Sequence, residues 1–154
     1  MRADLWSFIL DFYARPGVEQ ACLALQASGA NVCAVLCGVW LSHQGVACNN
    51  QRLQEIRQLA TPWHDEVVQP LRELRTRWKT KSVDDEQWMT LRERLKGLEL
   101  DAERELLTRL EDLTQDWSRQ NAKDADAWLT ALAGDAACDN HDALQVLRVM
   151  AGGV

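Results

Sequence analysis

The chain has 154 residues, of which 47% are hydrophobic and 26% are charged, and its formal net charge is −6. This length is typical of a single domain that buries a core without disulfides or metals, and three prolines and eight glycines offer few turns for an all-β fold. The acidic total argues against non-specific binding to nucleic acid or to membrane surfaces as the main function.

The first third of the chain predicts three helices, of which the first and third are very apolar. Asp4 is a suitable cap for a helix with almost no polar face, and Arg15-Pro16-Gly17 interrupts that helix. A short helix over 18–27 follows. Asn31 is the expected cap of a third, very apolar helix that continues to about His43. Helices without a polar face must be buried on most sides, so we expect the first and third helices to pack beside a central element.

Two further helices are predicted next. Asn49 or the asparagine after it can cap the first of them, and Thr61-Pro62 has the pattern of a new cap followed by a first helical residue. Pro70 lies inside the second of these helices, where it removes a backbone donor and presses on the carbonyl of Glu66. A kink is therefore expected at Pro70.

The longest predicted element is a helix over about 83–119, for which Ser82 or Asp84 is the expected cap. Its apolar residues recur about every 3.6 residues on average, which is the period of a straight α-helix. They form a main stripe made of Trp88, Leu91, Leu95, Leu98, Ala102, Leu106, Leu110, Leu113 and Trp117. A second, thinner line of Met89, Leu100 and Leu107 runs beside this stripe.

Two short helices, at 124–133 and at about 140–150, complete the predicted elements, and residues 151–154 are expected to fray. The predicted fold is therefore all-α: a single-domain bundle of seven or eight helices, formed by residues 1–154 around the long helix.

Charged residues between the two apolar lines are the most informative irregularity of the long helix. Four of them fall in or beside the gap: Arg92, Lys96, Glu99 and Glu103. Buried carboxylates need cationic partners, and Arg72 and Arg75 on the preceding helix are the nearest supply. The register stays open, because His64 or Val67 would lie more directly opposite the two glutamates. This group is interpreted first as a structural ion-pair seam, next as a pocket for a polar ligand, and least as a catalytic site.

Catalytic and metal-binding motifs are missing from the sequence. No nucleotide-binding, nucleophile-elbow, zinc-protease or haem-attachment pattern occurs. Cys33 and Cys37 share a helix face and could supply two metal ligands, but free cysteines in an apolar helix usually fill the core. The odd number of five cysteines favours free thiols. We therefore predict no metal and no cofactor, and expect the three histidines to lie near helix ends in solvated or capping roles.

Three functions remain open. The first is a regulatory or interaction protein that binds a partner protein through a helix groove, with some of the seven tryptophans as anchors. The second is the binding of a small polar ligand by the semi-buried Arg/Glu group. The third is RNA or ribosome contact through the basic run 72–81. The candidate binding residues are Arg72, Arg75, Trp78, Arg92, Glu99 and Glu103.

Short stretches over most of residues 4–107 resemble a bacterial family of uncharacterised proteins, domain of unknown function 2390. These stretches are Leu5-Trp6-Ser7-Phe8, Tyr13-Ala14-Arg15-Pro16-Gly17-Val18, Ala21-Cys22-Leu23, Gly29-Ala30-Asn31-Val32, Trp40-Leu41, Trp63, Val67-Val68-x-Pro70-Leu71-Arg72 and Leu98-Glu99-x-Asp101-Ala102-Glu103-Arg104. The resemblance implies an intracellular helical protein of unknown activity and transfers no catalytic or binding residue. A cytoplasmic location is also expected because the N-terminus lacks the features of a signal peptide and the apolar run 32–41 is too short to span a membrane.

Overall fold

The computed structural model describes residues 4–152, which form eight helices and contain no strand. The predicted all-α fold of seven or eight helices around one long helix is confirmed. The helices are α1 (Leu5–Tyr13), α2 (Val18–Ala27), α3 (Val32–His43), α4 (Asn50–Trp63, a π-helical turn His64–Val68, then Gln69–Arg77), α5 (Glu86–Thr114), α6 (Ala125–Ala133), α7 (Ala136–Asp139) and α8 (His141–Gly152).

Helix caps set the boundaries of these elements much as the sequence predicts. The side chains of Asp4, Asn31 and Asn49 accept hydrogen bonds from backbone N–H groups in the first turns of α1, α3 and α4. The cap of α5 is Asp85, which accepts from Trp88 N, and neither of the two predicted residues takes that role. The long helix is therefore shorter at both ends than the predicted 83–119.

The predicted break at Thr61-Pro62 is wrong, because α4 continues through it. Just after Pro62 the N–H of His64 donates to the carbonyls of Ala60 and Thr61, so the helix is not interrupted there, and it widens only afterwards, where the N–H of Gln69 donates back to His64 O across a π-helical turn. This wide turn lies directly before Pro70, where the sequence predicts a kink. His64 is consequently in the middle of a continuous helix, and the prediction that it lies near a helix end is also wrong.

The centre of the molecule is α3, whose residues 34–41 are all buried. It packs against α1, α5 and α6, as expected for a helix without a polar face. Its closest approach is to α6 at Gly38, where an added Cβ would lie 2.7 Å from Leu132 Cδ1 and 3.1 Å from Trp128 Cβ. The fully buried Trp128 donates its indole N–H to Val46 O at 3.0 Å, so this contact is fixed by both packing and a hydrogen bond.

The two halves of α5 have different surroundings. Its contributions to the core cluster, Leu106, Leu107 and Leu110, all lie in the second half. The first half packs against the end of α4, and together they form a two-helix arm, residues 69–98. Leu91 and Leu98, which the sequence places in the buried stripe, are 52% and 54% exposed. That prediction is wrong because a helix with one neighbour buries a narrower stripe than a helix surrounded by the core.

The C-terminus is described only in part. The last helix, α8, is described as far as Gly152, and the predicted fraying of 151–154 falls partly outside the described residues. Among residues 4–152 no helix combines the length and apolar character needed to cross a bilayer.

The contact at Gly38 yields a direct test of the core packing. We expect Gly38→Val to lower the free energy of unfolding by about 1–3 kcal/mol, because the new side chain would overlap two buried residues of α6. The matched control is Gly97→Val in the interior of α5, where an added Cβ meets nothing within 4 Å. The control should change stability by less than about 0.5 kcal/mol. Urea unfolding measures both, and equal stabilities would contradict the tight α3–α6 contact.

Candidate functional site

An ion-pair network joins α4 to α5, and we call it the seam: Arg72, Arg75, Glu99 and Glu103. Glu99 is buried, with only 7% of its surface exposed. Its Oε1 accepts from Arg72 Nε at 3.3 Å, and its Oε2 accepts from Arg75 Nε at 2.5 Å. A second nitrogen of Arg75 donates to Oε1 at 3.3 Å. The buried carboxylate therefore has the two cationic partners that its burial requires.

The seam fixes the register that the sequence leaves open. Arg92 Nε donates to the backbone carbonyl of Arg75 at 2.9 Å, and the side chain of Arg75 bonds Glu99, so Arg75 lies between the levels of these two residues of α5 along the helix pair. The predicted partners Val67 and His64 are not needed for this pairing.

Trp78 lies apart from the seam, although the sequence groups it with the same candidates. Its ring meets Trp88 edge to face, with ring centroids 6.2 Å apart, and the ammonium of Lys81 lies 5.0 Å from the centroid of Trp88. These aromatic contacts close the end of the arm. All six predicted site residues therefore lie between α4 and α5: five in or beside the seam, and Trp78 at the far end of the arm.

Next to the seam is a cavity of about 310 Å³, enclosed by α1, α3, α4 and α5, with Gln26 of α2 at its edge. Most of its wall is apolar and consists of Trp6, Ile9, Leu10, Val32, Leu36, Val68, Leu100, Leu106 and Leu107. Leu10 and Leu100 are 53% and 51% exposed, so they form an open apolar rim. The polar part of the wall consists of Tyr13, Gln26, Asn31, Cys33, His64, Arg72 and Glu103.

Burial shifts the pKa values of several titratable groups of the cavity in the direction that favours their uncharged forms. It raises the pKa of the Tyr13 phenol to about 12 and raises the pKa of the Cys33 thiol even further. Burial also lowers the pKa of the His64 imidazole, and the nearby positive charge of Arg72 lowers it further. The cavity therefore presents two charged groups among its lining residues, Arg72 and Glu103.

Glu103 is the less satisfied of the two glutamates in the seam. Its Oε1 accepts from Arg72 Nη2 at 3.4 Å, and its Oε2 accepts from no donor within residues 4–152. Burial raises the pKa of this carboxyl group; the negative charge of Glu99 also raises it, while Arg72 opposes the rise. One oxygen of a charged, partly buried carboxylate is thus available to a further hydrogen-bond donor.

Sequence reasoning finds only part of this site. It identifies Arg72 and Glu103 through charge placed between apolar lines, but it assigns Cys33 to the core and His64 to a helix end. Sequence reasoning assigns no role to Tyr13, because nothing in the sequence indicates that a tyrosine at the end of an apolar helix borders a cavity. The five cysteines are free thiols, and no three histidine, cysteine or acidic side chains of the described range converge as a metal site would require.

Comparison with known proteins identifies one family. A family model described as "Protein of unknown function (DUF2390)" matches residues 4–110, which is more than half of the chain. The matched range contains the seam and every residue that lines the cavity. No curated protein and no solved structure matches the chain significantly.

The burial of Glu99 can be tested by removing its charge. We expect Glu99→Ala to lower the free energy of unfolding by about 3 kcal/mol, because the two arginines would keep their burial and lose their main partner. Glu105→Ala on the same helix is the control: Glu105 is exposed and pairs with Arg109 four residues later. Its loss should cost less than about 0.5 kcal/mol. Similar losses of stability in both variants, measured by urea unfolding, would show that the seam is no stronger than a surface ion pair.

Proposed function

The chain belongs to the DUF2390 family, and we propose that it is a ligand-binding domain that takes a small, mainly apolar molecule into the cavity between α1 and α5. The observation that carries this proposal is the cavity itself: about 310 Å³, with a mainly apolar wall and two charged groups, Arg72 and Glu103, that bond each other. Pockets for small molecules usually start at about 300 Å³ and combine an apolar lining with a small number of orienting polar groups.

The environment of the seam favours an apolar ligand over the purely polar ligand that the sequence suggests. Arg72 and Arg75 already share Glu99, and Arg72 also donates to Gln69 and Glu103. A polar ligand would have to displace these partners. An apolar ligand instead fills space that no side chain occupies, and it removes the rim residues Leu10 and Leu100 from water.

The other expectations from the sequence stay predictions. Arg72 and Arg75 are engaged in the seam, so an RNA contact through the basic run 72–81 would depend on its exposed members, Arg77, Lys79 and Lys81. A cytoplasmic location and a regulatory role are likewise part of the proposal.

Binding of 1-hexanol tests the cavity directly. Its seven non-hydrogen atoms suit the volume, and for a ligand of this size we expect a dissociation constant on the order of 1 mM. Titration followed by two-dimensional ¹H–¹⁵N NMR should shift the indole signal of Trp6, which lines the cavity, and leave that of Trp128 unchanged because its indole lies in the α3–α6 contact.

A variant that fills the cavity is the specific control for this titration. Cys33→Phe places a ring in the cavity and should abolish hexanol binding, whereas Cys138→Phe makes the same change at an exposed position of α7 and should preserve it. Loss of binding in both variants, or no shift of the Trp6 signal in the unaltered protein, would contradict the proposed function.

A second candidate function, binding of a protein partner, is favoured by the exposed leucines of the arm. Leu91 and Leu98 are seven residues apart and project within about 20° of each other, so they form an unpaired apolar ridge. We assign this ridge to a second copy of the chain. In an antiparallel pairing of two α5 helices, Arg94 of one copy would lie opposite Asp101 of the other, and Leu98 would pack beside the open surface at Gly97.

Sedimentation of the protein tests this second assignment. The unaltered chain should form a dimer at about 100 μM, and Leu98→Glu should be monomeric because a carboxylate would be buried against its copy. Val83→Glu is the control, since Val83 is exposed but lies outside the ridge, and it should remain dimeric. A monomeric unaltered protein at this concentration would rule out the pairing and leave the cavity proposal untouched.

A further inference from the structure

The polar groups of the cavity differ in how far their hydrogen-bonding capacity is used. Each guanidinium nitrogen of Arg72 already faces an acceptor: Nε bonds Glu99, Nη1 bonds Gln69 and Nη2 bonds Glu103. Glu103 uses one oxygen for one long contact of 3.4 Å. Nη1 and Nη2 of Arg72 each keep one further N–H, whereas Oε2 of Glu103 is a carboxylate oxygen of this wall that accepts from no donor among the described residues.

Arg72 is the cation among the described residues that bonds Glu103, and it reaches Oε1. The phenol of Tyr13 and the imidazole of His64 line the same cavity, and burial favours the neutral form of both, because it raises the pKa of the first and lowers the pKa of the second. Arg75 is committed to Glu99. The side chain of Glu103 is 29% exposed, so its Oε2 is open to water or to a donor that a ligand carries.

We propose that the cavity selects a primary amine carried on an apolar body, with Oε2 of Glu103 accepting a hydrogen bond from the ammonium group. The apolar body occupies the space lined by residues such as Ile9, Leu36 and Leu107, and the ammonium lies at the wall formed by Glu103. A ligand carboxylate would meet the glutamate as a like charge and would have to compete with Glu99, Gln69 and Glu103 for Arg72, and an alcohol would supply a weaker, neutral donor. This inference rests on the ligand-binding function proposed above and specifies the chemistry of its ligand.

Two sources could supply this chemistry, a free amine or the side chain of a lysine. A lysine has an apolar stem of four methylene groups and an ammonium at its end, so it can present the same groups as a small molecule. The head-group preference is the same in both cases, and the test below compares the two.

The experiment compares three probes of equal chain length, hexylamine, 1-hexanol and hexanoate, by the NMR titration of the Trp6 signal. We expect hexylamine to bind roughly tenfold more tightly than 1-hexanol, because a charged donor gains more from a carboxylate than a neutral one, and hexanoate to bind more weakly than both. Nα-acetyl-lysine N-methylamide is the fourth probe. An affinity equal to that of hexylamine would assign the site to a lysine side chain, and binding of hexylamine alone would assign it to a small amine.

The role of Glu103 is tested by Glu103→Gln, which keeps the shape of the side chain and removes its charge. The ratio of hexylamine to hexanol affinity should fall from roughly ten to about one in this variant. Glu105→Gln, an exposed position on the same helix, should keep the full ratio. Cooperative thermal unfolding of Glu103→Gln establishes that the variant is folded. If it is not, the affinities of the three probes for the unaltered protein still decide whether the cavity prefers an amine.

The possible outcomes separate this inference from the function on which it rests. If 1-hexanol does not bind to the unaltered protein, the ligand-binding proposal fails and this inference fails with it. If 1-hexanol binds but hexylamine binds no more tightly, or if hexanoate binds best, the cavity stands as a ligand site and the amine preference alone is overturned. A preference for hexylamine that survives Glu103→Gln would also overturn the assignment to Glu103.

Discussion

Burial of a single carboxylate, that of Glu99, determines how the two helices of the arm, α4 and α5, are held against each other. A charge taken out of water is tolerated only with close cationic partners, and Arg72 and Arg75 are positioned to supply them. This requirement sets the register of α4 against α5 more strictly than apolar contacts could, because leucines and valines tolerate sliding and a bidentate arginine does not. It also holds Arg72 beside the cavity, where that arginine reaches Glu103.

The cavity arises from the shapes of helices that have little polar surface. α1 and α3 are apolar on most sides, so neighbouring helices pack against several of their faces. α4 is held at the seam by its arginines and widens in a π-helical turn beside the cavity, where His64 and Val68 contribute to the wall. All four helices thus contribute apolar side chains to a space that remains unfilled, and α4 and α5 add its two charged groups, Arg72 and Glu103. That arrangement suits a molecule with one polar end.

The sequence predicts the helices well because each depends on local information. Caps such as Asp4 and Asn31 and a regular apolar period are visible in the chain, and the structure has helices at those positions. It predicts the arm less well, because Leu91 and Leu98 have the same spacing as their buried neighbours and only tertiary packing decides which residues are covered. The continuity of α4 through Pro62 is also set by tertiary contacts, such as the indole of Trp63, which donates to Ala102 O on α5.

The candidate site depends on a difference between Glu99 and Glu103 that the sequence pattern does not reveal. Glu99 and Glu103 lie one helical turn apart on the same face of α5, and both are expected to pair with the basic residues of α4. The structure gives Glu99 two arginines and places it away from the cavity wall, while Glu103 shares one arginine and borders the cavity. The first carboxylate has its partners within the fold. The second retains an unused oxygen in surroundings that raise its pKa, so a ligand can improve its environment more than that of any other charged group on this wall.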